Sequence, residues 1–432
     1  MNTMVVRICG IILALTVCLN AGAQSAFDTY FNGKKLRIDF ALSGNVDTQS
    51  AALSQLREEP VWGGPRKNLI PPFDYGGYTL NAYDKASGKH IYSFGFNTLF
   101  EEWRVTEQAK TETQSWSNSV SMPYPHNPVS IVLLGRHRDT DKKDTLMVLD
   151  IDPQSIFIDR GKLKDNPVLD IQIKGDPSKK VDLVFIAEGY TGPEKEKFFA
   201  DAQRFTESLF NTPPFDQRRD DFNVRAVFLE SEESGTDFSG KGIYLNTALN
   251  TGFYTFGTSR YLTTQDMKSI SDAIWNVPCD APFVLVNSDV YGGGGMYNFY
   301  AIGTADNAQT IQVFVHEFGH SFAGLADEYF TSDVSYSDFY SFNIEPWEPN
   351  ITTLIDFDSK WKGILPAGTP VPTPLEAPYV DKVGVFEGAG YSSKGIYRPS
   401  DHCMMRDLMP FCPVCSSAIL RMVDYWSDGL SQ

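Results

Sequence analysis

One short stretch of the sequence combines the residue types and the spacing of a catalytic metal site. His316, Glu317 and His320 form the pattern H-E-x-x-H within residues 315–329, VHEFGHSFAGLADEY. Residues four apart lie on one face of a helix, so His316 and His320 can bind the same metal ion. Glu317 is next to the first histidine and can reach a water at that metal. The pattern predicts a zinc site with two imidazole ligands and a glutamate general base.

The residues around this motif favour a helix with one buried face. Four apolar residues recur at helical spacing and predict the core-facing side: Ile311, Val315, Phe318 and Phe322. The two histidines and the glutamate fall on the other side, which would line a cleft. Gly324 then stands where the helix is expected to end, because glycine tolerates the left-handed conformation. The alternative is a surface helix whose histidines are only solvated or hydrogen-bonded.

A catalytic zinc ion needs a third protein ligand and an open position for water. Two acidic residues, Asp327 and Glu328, follow Gly324 closely, and His402 is a more distant candidate. The acid of the pair that does not bind the metal can orient a ligand imidazole.

The first 23 residues are predicted to be a secretory signal peptide. Arg7 precedes an apolar run from Ile8 to Leu19, and Ala21-Gly22-Ala23 forms a cleavage signal. The run is too short to span a membrane. A lipoprotein signal ending at Cys18 is the less favoured alternative, because Val17 is large for the residue before a lipidated cysteine.

The mature chain is predicted to be strongly acidic. Loss of Arg7 with the signal peptide moves the net charge of −17 to −18. Phosphate groups would be repelled, so we expect no nucleic-acid partner. We also expect no transmembrane segment, because no other stretch is apolar enough. The content of 42% hydrophobic and 21% charged residues is that of an ordinary globular protein.

Four cysteines remain beyond the signal peptide, namely Cys279, Cys403, Cys412 and Cys415. An even number in an exported protein suggests disulfides. The C-P-V-C pattern at 412–415 is also compatible with half of a zinc ribbon or with a redox pair. The chain contains no second C-x-x-C pattern, so a structural role is favoured.

The pattern of apolar residues changes near residue 160. From Ala26 to about Phe157, short alternating runs separated by Gly/Pro-rich turns predict an antiparallel β-sandwich. Beyond the charged stretch 159–167, strands alternate with helices, which is typical of an α/β layer structure. We therefore predict an α+β protein with a signal peptide at 1–23, a β-sandwich at 24–160 and a zinc peptidase domain at 168–432.

Two details of the second part are also predicted. A threonine-capped helix is expected from residues 262–265 to Trp275. The glycine run 292–295 lacks the lysine of a phosphate-binding loop. The residues after it, 297–302, fit either an edge strand to which an extended substrate adds, or a flexible loop.

Three features together resemble the IgA peptidase family of zinc metallopeptidases, in the metzincin clan. They are the segment HEFGHSFAGLADEY, the segment CMMRD followed by FCPVC, and a β-rich region before an α/β region. In the metzincin pattern H-E-x-x-H-x-x-G-x-x-H/D, the glycine and third ligand come one residue earlier than Gly324 and Asp327. The spacing between the two is kept, so Asp327 is the preferred third ligand and Glu328 the runner-up. Metzincins also carry a methionine turn beneath the metal, and Cys403-x-Met405 selects Met405 over Met404.

The resemblance implies an exported bacterial zinc endopeptidase that is secreted, periplasmic or on the cell surface and acts on protein or glycoprotein substrates. It does not establish immunoglobulin as the substrate. In the expected mechanism, zinc lowers the pKa of a water to about 7 and Glu317 takes its proton. The alternatives are a non-peptide metallohydrolase and an adhesin or glycan-binding protein with a vestigial metal site. Trp62, Trp103 and Trp116 motivate the glycan reading as a possible sugar platform, although packing is the commoner use of tryptophan.

Overall fold

A computed structural model describes residues 25–140, 142–330 and 339–429. The predicted signal peptide and Cys18 lie outside these ranges. Within them, no helix has both the length and the apolar character needed to cross a membrane.

The N-terminal part consists of two four-stranded sheets. They have the strand orders β5-β1-β2-β8 and β4-β3-β6-β7, and all neighbours are antiparallel except β2 and β8. The elements are α1 (Ala26–Tyr30), β1 (Phe31–Gly44), β2 (Gln49–Glu59), β3 (Tyr78–Asp84), β4 (His90–Phe96), α2 (Leu99–Trp103), β5 (Gln114–Pro125), β6 (Val129–Arg136), β7 (Lys143–Ile151) and β8 (Ile158–Asp159).

Side chains that alternate along the strands hold these two sheets together. Leu36, Ile38, Phe40 and Leu42 of β1 are all buried, as their spacing predicts. Across the interface, the ring of Phe40 meets that of Phe96 edge-on at 6.4 Å. Each such side chain contributes about 1.5–3 kcal/mol when fully buried.

The tryptophans of this part are packing residues. Trp62, Trp103 and Trp116 are only 8%, 1% and 6% exposed, so their faces are not available to a sugar. The observation that motivated a carbohydrate platform therefore has a structural explanation.

The second part is built on a six-stranded sheet with the order β15-β16-β14-β10-β11-β9. The four inner strands are parallel, and each edge strand is antiparallel to its neighbour. The elements are β9 (Val168–Gln172), β10 (Val181–Glu188), α3 (Lys195–Leu209), β11 (Phe222–Val227), β12 (Asp237–Phe238), β13 (Gly252–Phe253), α4 (Met267–Ala273), β14 (Ala281–Val286), β15 (Gly293–Met296), β16 (Tyr300–Thr304), α5 (Thr310–Ala323), β17 (Phe386–Ala389), β18 (Ser392–Arg398), α6 (Met404–Asp407) and α7 (Pro413–Trp426). The protein is thus a mixed α/β protein with a β-rich N-terminal part.

The six-stranded sheet is covered on both faces, which explains the continuous apolar runs of its inner strands. One face carries Ile186 and Val284 and shares a core with the two N-terminal sheets. The other face carries Phe185 and Phe283 and packs under α3, α5 and α7. The N-terminal part therefore has no core of its own that is separate from the sheet.

The helix predicted to open at residues 262–265 begins later. Asp266 caps α4 by accepting a hydrogen bond from Ser269 N–H, and the helix ends at Ala273. Thr264 does not cap it, because its hydroxyl donates to the carbonyl of Leu249 at 2.6 Å. The predicted cap residue was therefore wrong.

The edge strand near the predicted helix is also earlier than expected. It is β15, formed by the glycine run itself, whereas 297–302 comprises a turn and the start of the inner strand β16. The turn contains Asn298 at a φ of 50°, a left-handed conformation that asparagine tolerates.

Glycine is required in β15 because the strand lies directly against α5. A Cβ on Gly295 would lie 2.3 Å from the carbonyl oxygen of Glu317 and 3.0 Å from Cβ of His320. A Cβ on Gly293 would lie 2.8 Å from Cγ of Glu317. The glycine run thus sets the distance between the edge strand and the helix with the H-E-x-x-H motif.

We predict that Gly295→Ala forces β15 away from α5 and lowers the free energy of unfolding by about 1–3 kcal/mol, the usual cost of overpacking. Chemical denaturation of the two purified proteins measures this. Gly363→Ala is the matched control, because a Cβ at Gly363 meets nothing within 4 Å. Equal stability of the two variants would contradict the close approach described above.

Candidate functional site

Helix α5 presents the H-E-x-x-H motif at the edge of the six-stranded sheet. Its opposite side is buried, with Phe318 stacked on Phe322 at a centroid distance of 5.0 Å. The helix ends at Gly324, which has a φ of 63° and donates its N–H to the carbonyl of His320. The predicted helix and its end are confirmed, and the chain turns back toward the histidines after Gly324.

Two backbone carbonyls fix the orientation of the histidines. Nδ1 of His316 lies 2.9 Å from the carbonyl oxygen of Met404, and Nδ1 of His320 lies 2.6 Å from that of Leu325. A carbonyl can only accept, so each Nδ1 carries a proton and each Nε2 is the ring atom left to bind a metal ion. The two Nε2 atoms are 3.0 Å apart.

Asp327 completes a triangle with these two nitrogens. Its Oδ1 lies 3.2 Å from Nε2 of His316 and 3.3 Å from Nε2 of His320. Its Oδ2 accepts hydrogen bonds from the hydroxyls of Tyr329 and Tyr391, at 2.9 and 2.5 Å. One carboxylate oxygen is therefore held by tyrosines while the other faces the imidazoles.

The three facing atoms fit one face of a tetrahedral zinc site. Ligand bonds of about 2.0–2.1 Å give ligand-to-ligand distances of about 3.3–3.4 Å. The observed distances of 3.0–3.3 Å are close to this geometry. Oδ1 of Asp327 is buried and receives no hydrogen bond from the described residues, as expected of an atom directed at a cation.

The electrostatics of the triangle favour positive charge at its centre. Burial alone would raise the pKa of Asp327, but the neighbouring imidazoles outweigh burial and hold that pKa well below its usual value. Burial alone would lower the pKa of His320, but the carboxylate of Asp327 outweighs burial and raises it to about 9. The negative charge of Asp327, which raises the proton affinity of His320, would also attract a metal cation bound between the three groups.

Glu317 lies beside this triangle in a cavity of about 750 Å³. Burial raises the pKa of its carboxyl group, and the nearby imidazoles only partly oppose that effect. The cavity is also lined by strand β15 and, from the N-terminal part, by Asn97 and Glu102. The carboxyl group of Glu317 thus has a raised proton affinity. It lies in a cavity that is large enough to hold part of a polymer chain.

The other two candidates for the third ligand lie elsewhere. Glu328 is fully buried and accepts hydrogen bonds from Asn350 Nδ2 at 2.9 Å and from the thiol of Cys415 at 3.1 Å. His402 lies on the wall of the cavity, where its ring pairs with Asp407. Only Asp327 is brought to the two histidines.

Met405 packs against α5 at Gly319, within the H-E-x-x-H motif. A Cβ on Gly319 would lie 2.9 Å from Sδ of Met405, so the thioether is in close contact with the turn that carries the motif. Met404 contributes its carbonyl to His316, and the carbonyl of Met405 accepts the N–H of Glu328 at 2.7 Å. The segment 404–405 supports both the helix and the loop that carries Asp327.

Sequence reasoning did not find the two tyrosines that hold Asp327. Tyr329 is the last residue of the stretch 315–329 and lies two residues after Asp327. This short separation was the one sequence signal that could have indicated its contact with Asp327. Tyr391 is 64 residues away and carries no local signal, because a loop between β17 and β18 brings it back to the site.

The predicted disulfides are not present among the described residues. Cys279, Cys403, Cys412 and Cys415 all have free thiols. Cys279 lies apart in the first core, whereas the other three lie together with Glu328.

Among the residues that the structure describes, two groups of side chains can hold a metal ion: His316, Glu317 and His320, and a separate buried group around Glu328. A helical H-E-x-x-H motif facing a cleft beside an edge strand is the arrangement of a peptidase. Residues 169–378 and 375–423 match the family model of the IgA peptidase M64, and residues 26–147 match the model of the peptidase M64 N-terminus. The chain belongs to the IgA peptidase M64 family. No curated protein matches the chain.

We predict that Met405→Ala removes the support beneath α5 and lowers the free energy of unfolding by about 2–4 kcal/mol, as expected for a cavity at a fully buried methionine. Met405→Leu keeps the volume and should cost less than about 1.5 kcal/mol. Urea denaturation measures both effects.

Met409→Ala is the control for this series, because Met409 is 49% exposed. A loss of stability at Met409 as large as that at Met405 would contradict the role assigned to the buried thioether.

Proposed function

We propose that the protein is an exported zinc-dependent endopeptidase of the metzincin type. The observation that carries this proposal is the convergence of Nε2 of His316, Nε2 of His320 and Oδ1 of Asp327 within 3.0–3.3 Å of one another. Membership of a peptidase family indicates the class of reaction. The two imidazole nitrogens and the carboxylate oxygen indicate that the metal is zinc.

Two imidazole nitrogens and one carboxylate oxygen form a donor set typical of catalytic zinc. When bound, zinc supplies Lewis acidity that activates water and polarises the scissile carbonyl. The chain contributes the preorganisation of the site. The carbonyls of Met404 and Leu325 fix the imidazoles, and the hydroxyls of Tyr329 and Tyr391 fix the carboxylate.

Glu317 acts as the general base. It is one residue from a ligand, it lines the cavity, and burial raises its proton affinity. Its carboxylate takes a proton from the attacking water and then delivers that proton to the leaving amine. A carboxyl of ordinary pKa would be a weaker proton acceptor, so the burial of Glu317 serves this transfer.

Strand β15 is placed to align a substrate. On its outer side, the carbonyl of Gly293 accepts the N–H of Leu262, and the carbonyl of Tyr297 accepts the N–H of Asn97. Gly295 lies between these two contacts and is the one residue of the strand that is not fully buried. Its outward peptide group can hydrogen-bond an extended peptide beside the catalytic groups.

The position of Met405 beneath the motif supports the metzincin assignment, since that clan carries a methionine turn below the metal. Export is proposed from the signal sequence at residues 1–23, and protein substrates from the peptidase family and the open cleft. The adhesin alternative is not favoured, because the tryptophans that motivated it are buried.

We predict that Glu317→Gln lowers kcat/KM on a peptide library by at least about 100-fold, because general base catalysis contributes about 10²–10⁴-fold. The zinc content measured by mass spectrometry should not change, because Glu317 is not a ligand.

The matched control is Glu196→Gln, the same change at an exposed position of α3. Wild-type activity should vanish with a chelator and return with zinc. Full activity of Glu317→Gln, or activity that resists complete removal of the metal, would overturn the proposed function.

A second prediction concerns the third ligand. Loss of a residue that merely orients a ligand costs about 10–100-fold in metal affinity, so Asp327→Asn should cost at least about 100-fold. The measurement is the zinc concentration that restores half of the peptidase activity to the chelated protein. Asp358→Asn, at an exposed position, is the control. An unchanged zinc requirement in Asp327→Asn would remove Asp327 from the ligand set.

A further inference from the structure

A second cluster of ligand-type side chains lies behind the loop that carries Asp327. It consists of Glu328, Cys403, Cys412 and Cys415, whose ligand atoms all lie within 4.8 Å of one another. The side chains are between 0% and 4% exposed. This cluster takes no part in the chemistry proposed for Glu317.

The distances within the cluster suit a tetrahedral metal rather than a disulfide. Sγ of Cys403 lies 3.6 Å from Sγ of Cys415, and Sγ of Cys415 lies 3.1 Å from Oε1 of Glu328. A disulfide requires about 2.05 Å between the sulfurs. Zinc–sulfur bonds of about 2.3 Å place two sulfurs about 3.8 Å apart.

The backbone around the cysteines is arranged to stabilise thiolates. The N–H of Cys412 donates to Sγ of Cys403 at 3.4 Å, and the N–H of Cys415 donates to Sγ of Cys412 at 3.5 Å. Cys412 also caps the N-terminus of α7, where the helix dipole favours negative charge. Such N–H groups are the outer contacts that commonly orient metal-binding sulfurs.

One oxygen of Glu328 lacks a partner and is suited to bind a cation. Oε2 of Glu328 is buried and has no hydrogen-bond partner among the described residues, while Oε1 already receives Asn350 and Cys415. A buried carboxylate is costly without such a partner. A disulfide between two of the three sulfurs would leave this oxygen unsatisfied and the third thiol unpaired. A metal ion would use all four groups.

We propose that Glu328, Cys403, Cys412 and Cys415 form a second metal site that binds zinc through three sulfurs and one carboxylate oxygen. Four protein ligands leave no open position, which is typical of a structural site and not of a catalytic one. Each thiol that binds loses its proton to solvent. Three thiolates, one carboxylate and Zn²⁺ have a net charge of −2. The buried guanidinium of Arg398 contributes a positive charge that acts on Glu328.

The second metal would join three segments that support the proposed catalytic site. Glu328 directly follows Asp327, and Cys403 directly precedes Met404, whose carbonyl holds His316. Cys412 and Cys415 begin α7, which packs against the same core as α5. The site would therefore fix the position of Asp327 and of the methionine turn from behind.

The first experiment measures the zinc content of the full mature chain by mass spectrometry. The wild type is expected to hold two equivalents of zinc, and Cys415→Ser and Glu328→Gln are expected to hold one. Cys279→Ser, a cysteine outside the cluster, should keep both. A double variant, His316→Ala with His320→Ala, should lose the catalytic equivalent and keep the second, which separates this proposal from the proposed function.

Measurements on the His316→Ala/His320→Ala variant, whose cysteine cluster is unaltered, test the proposal even if the cysteine variants do not fold. Its cobalt-substituted form should show the near-ultraviolet charge-transfer absorption of thiolate bound to Co²⁺. All four thiols should react with a thiol reagent after unfolding in chelator without reductant. Loss of two thiols to a disulfide, absence of the thiolate–cobalt band, or a His316→Ala/His320→Ala variant that holds no zinc would each overturn the proposal.

Discussion

The contact between β15 and α5 is the constraint on which the site depends. A strand and a helix normally keep their backbones apart by the length of a side chain, but here glycines allow the strand to touch the helix at Glu317 and His320. The peptide groups of the strand thereby come within reach of the same cavity as the motif. The sheet edge and the helix that carries the H-E-x-x-H motif form one surface because no Cβ separates them.

Two neighbouring carboxylates serve opposite sides of one loop. Asp327 faces the histidines, and Glu328, the next residue, faces the cysteines. The N–H of Glu328 is held by the carbonyl of Met405, so the loop cannot rotate freely between the two clusters. A substitution of either acid is therefore expected to shift the position of the other.

Local patterns predicted those parts of the molecule that local physics determines. Helical spacing of apolar residues located α5, and Gly324 located its end. The edge strand was predicted too late in the chain because the position of β15 depends on its long-range contact with α5. The cap of α4 was predicted at a threonine, but the hydroxyl of Thr264 donates to the carbonyl of Leu249. Tyr391 could not be found, since only the folding of a distant loop brings its hydroxyl to Asp327. The cysteines were predicted to form disulfides from their number and compartment, but three of them lie together with the carboxylate of Glu328, a neighbour that a pairing rule does not consider.

The shared core of the N-terminal sheets and the central sheet bears on how such an enzyme can be kept inactive. A propeptide that is cut away must leave behind a domain whose core is intact. Excision at 160–167 would here uncover the sheet face that carries Ile186 and Val284, and it would take away Asn97 and Glu102 from the cleft wall. The N-terminal sheets are therefore a permanent wall of the cleft and are unsuited to serve as a removable inhibitor.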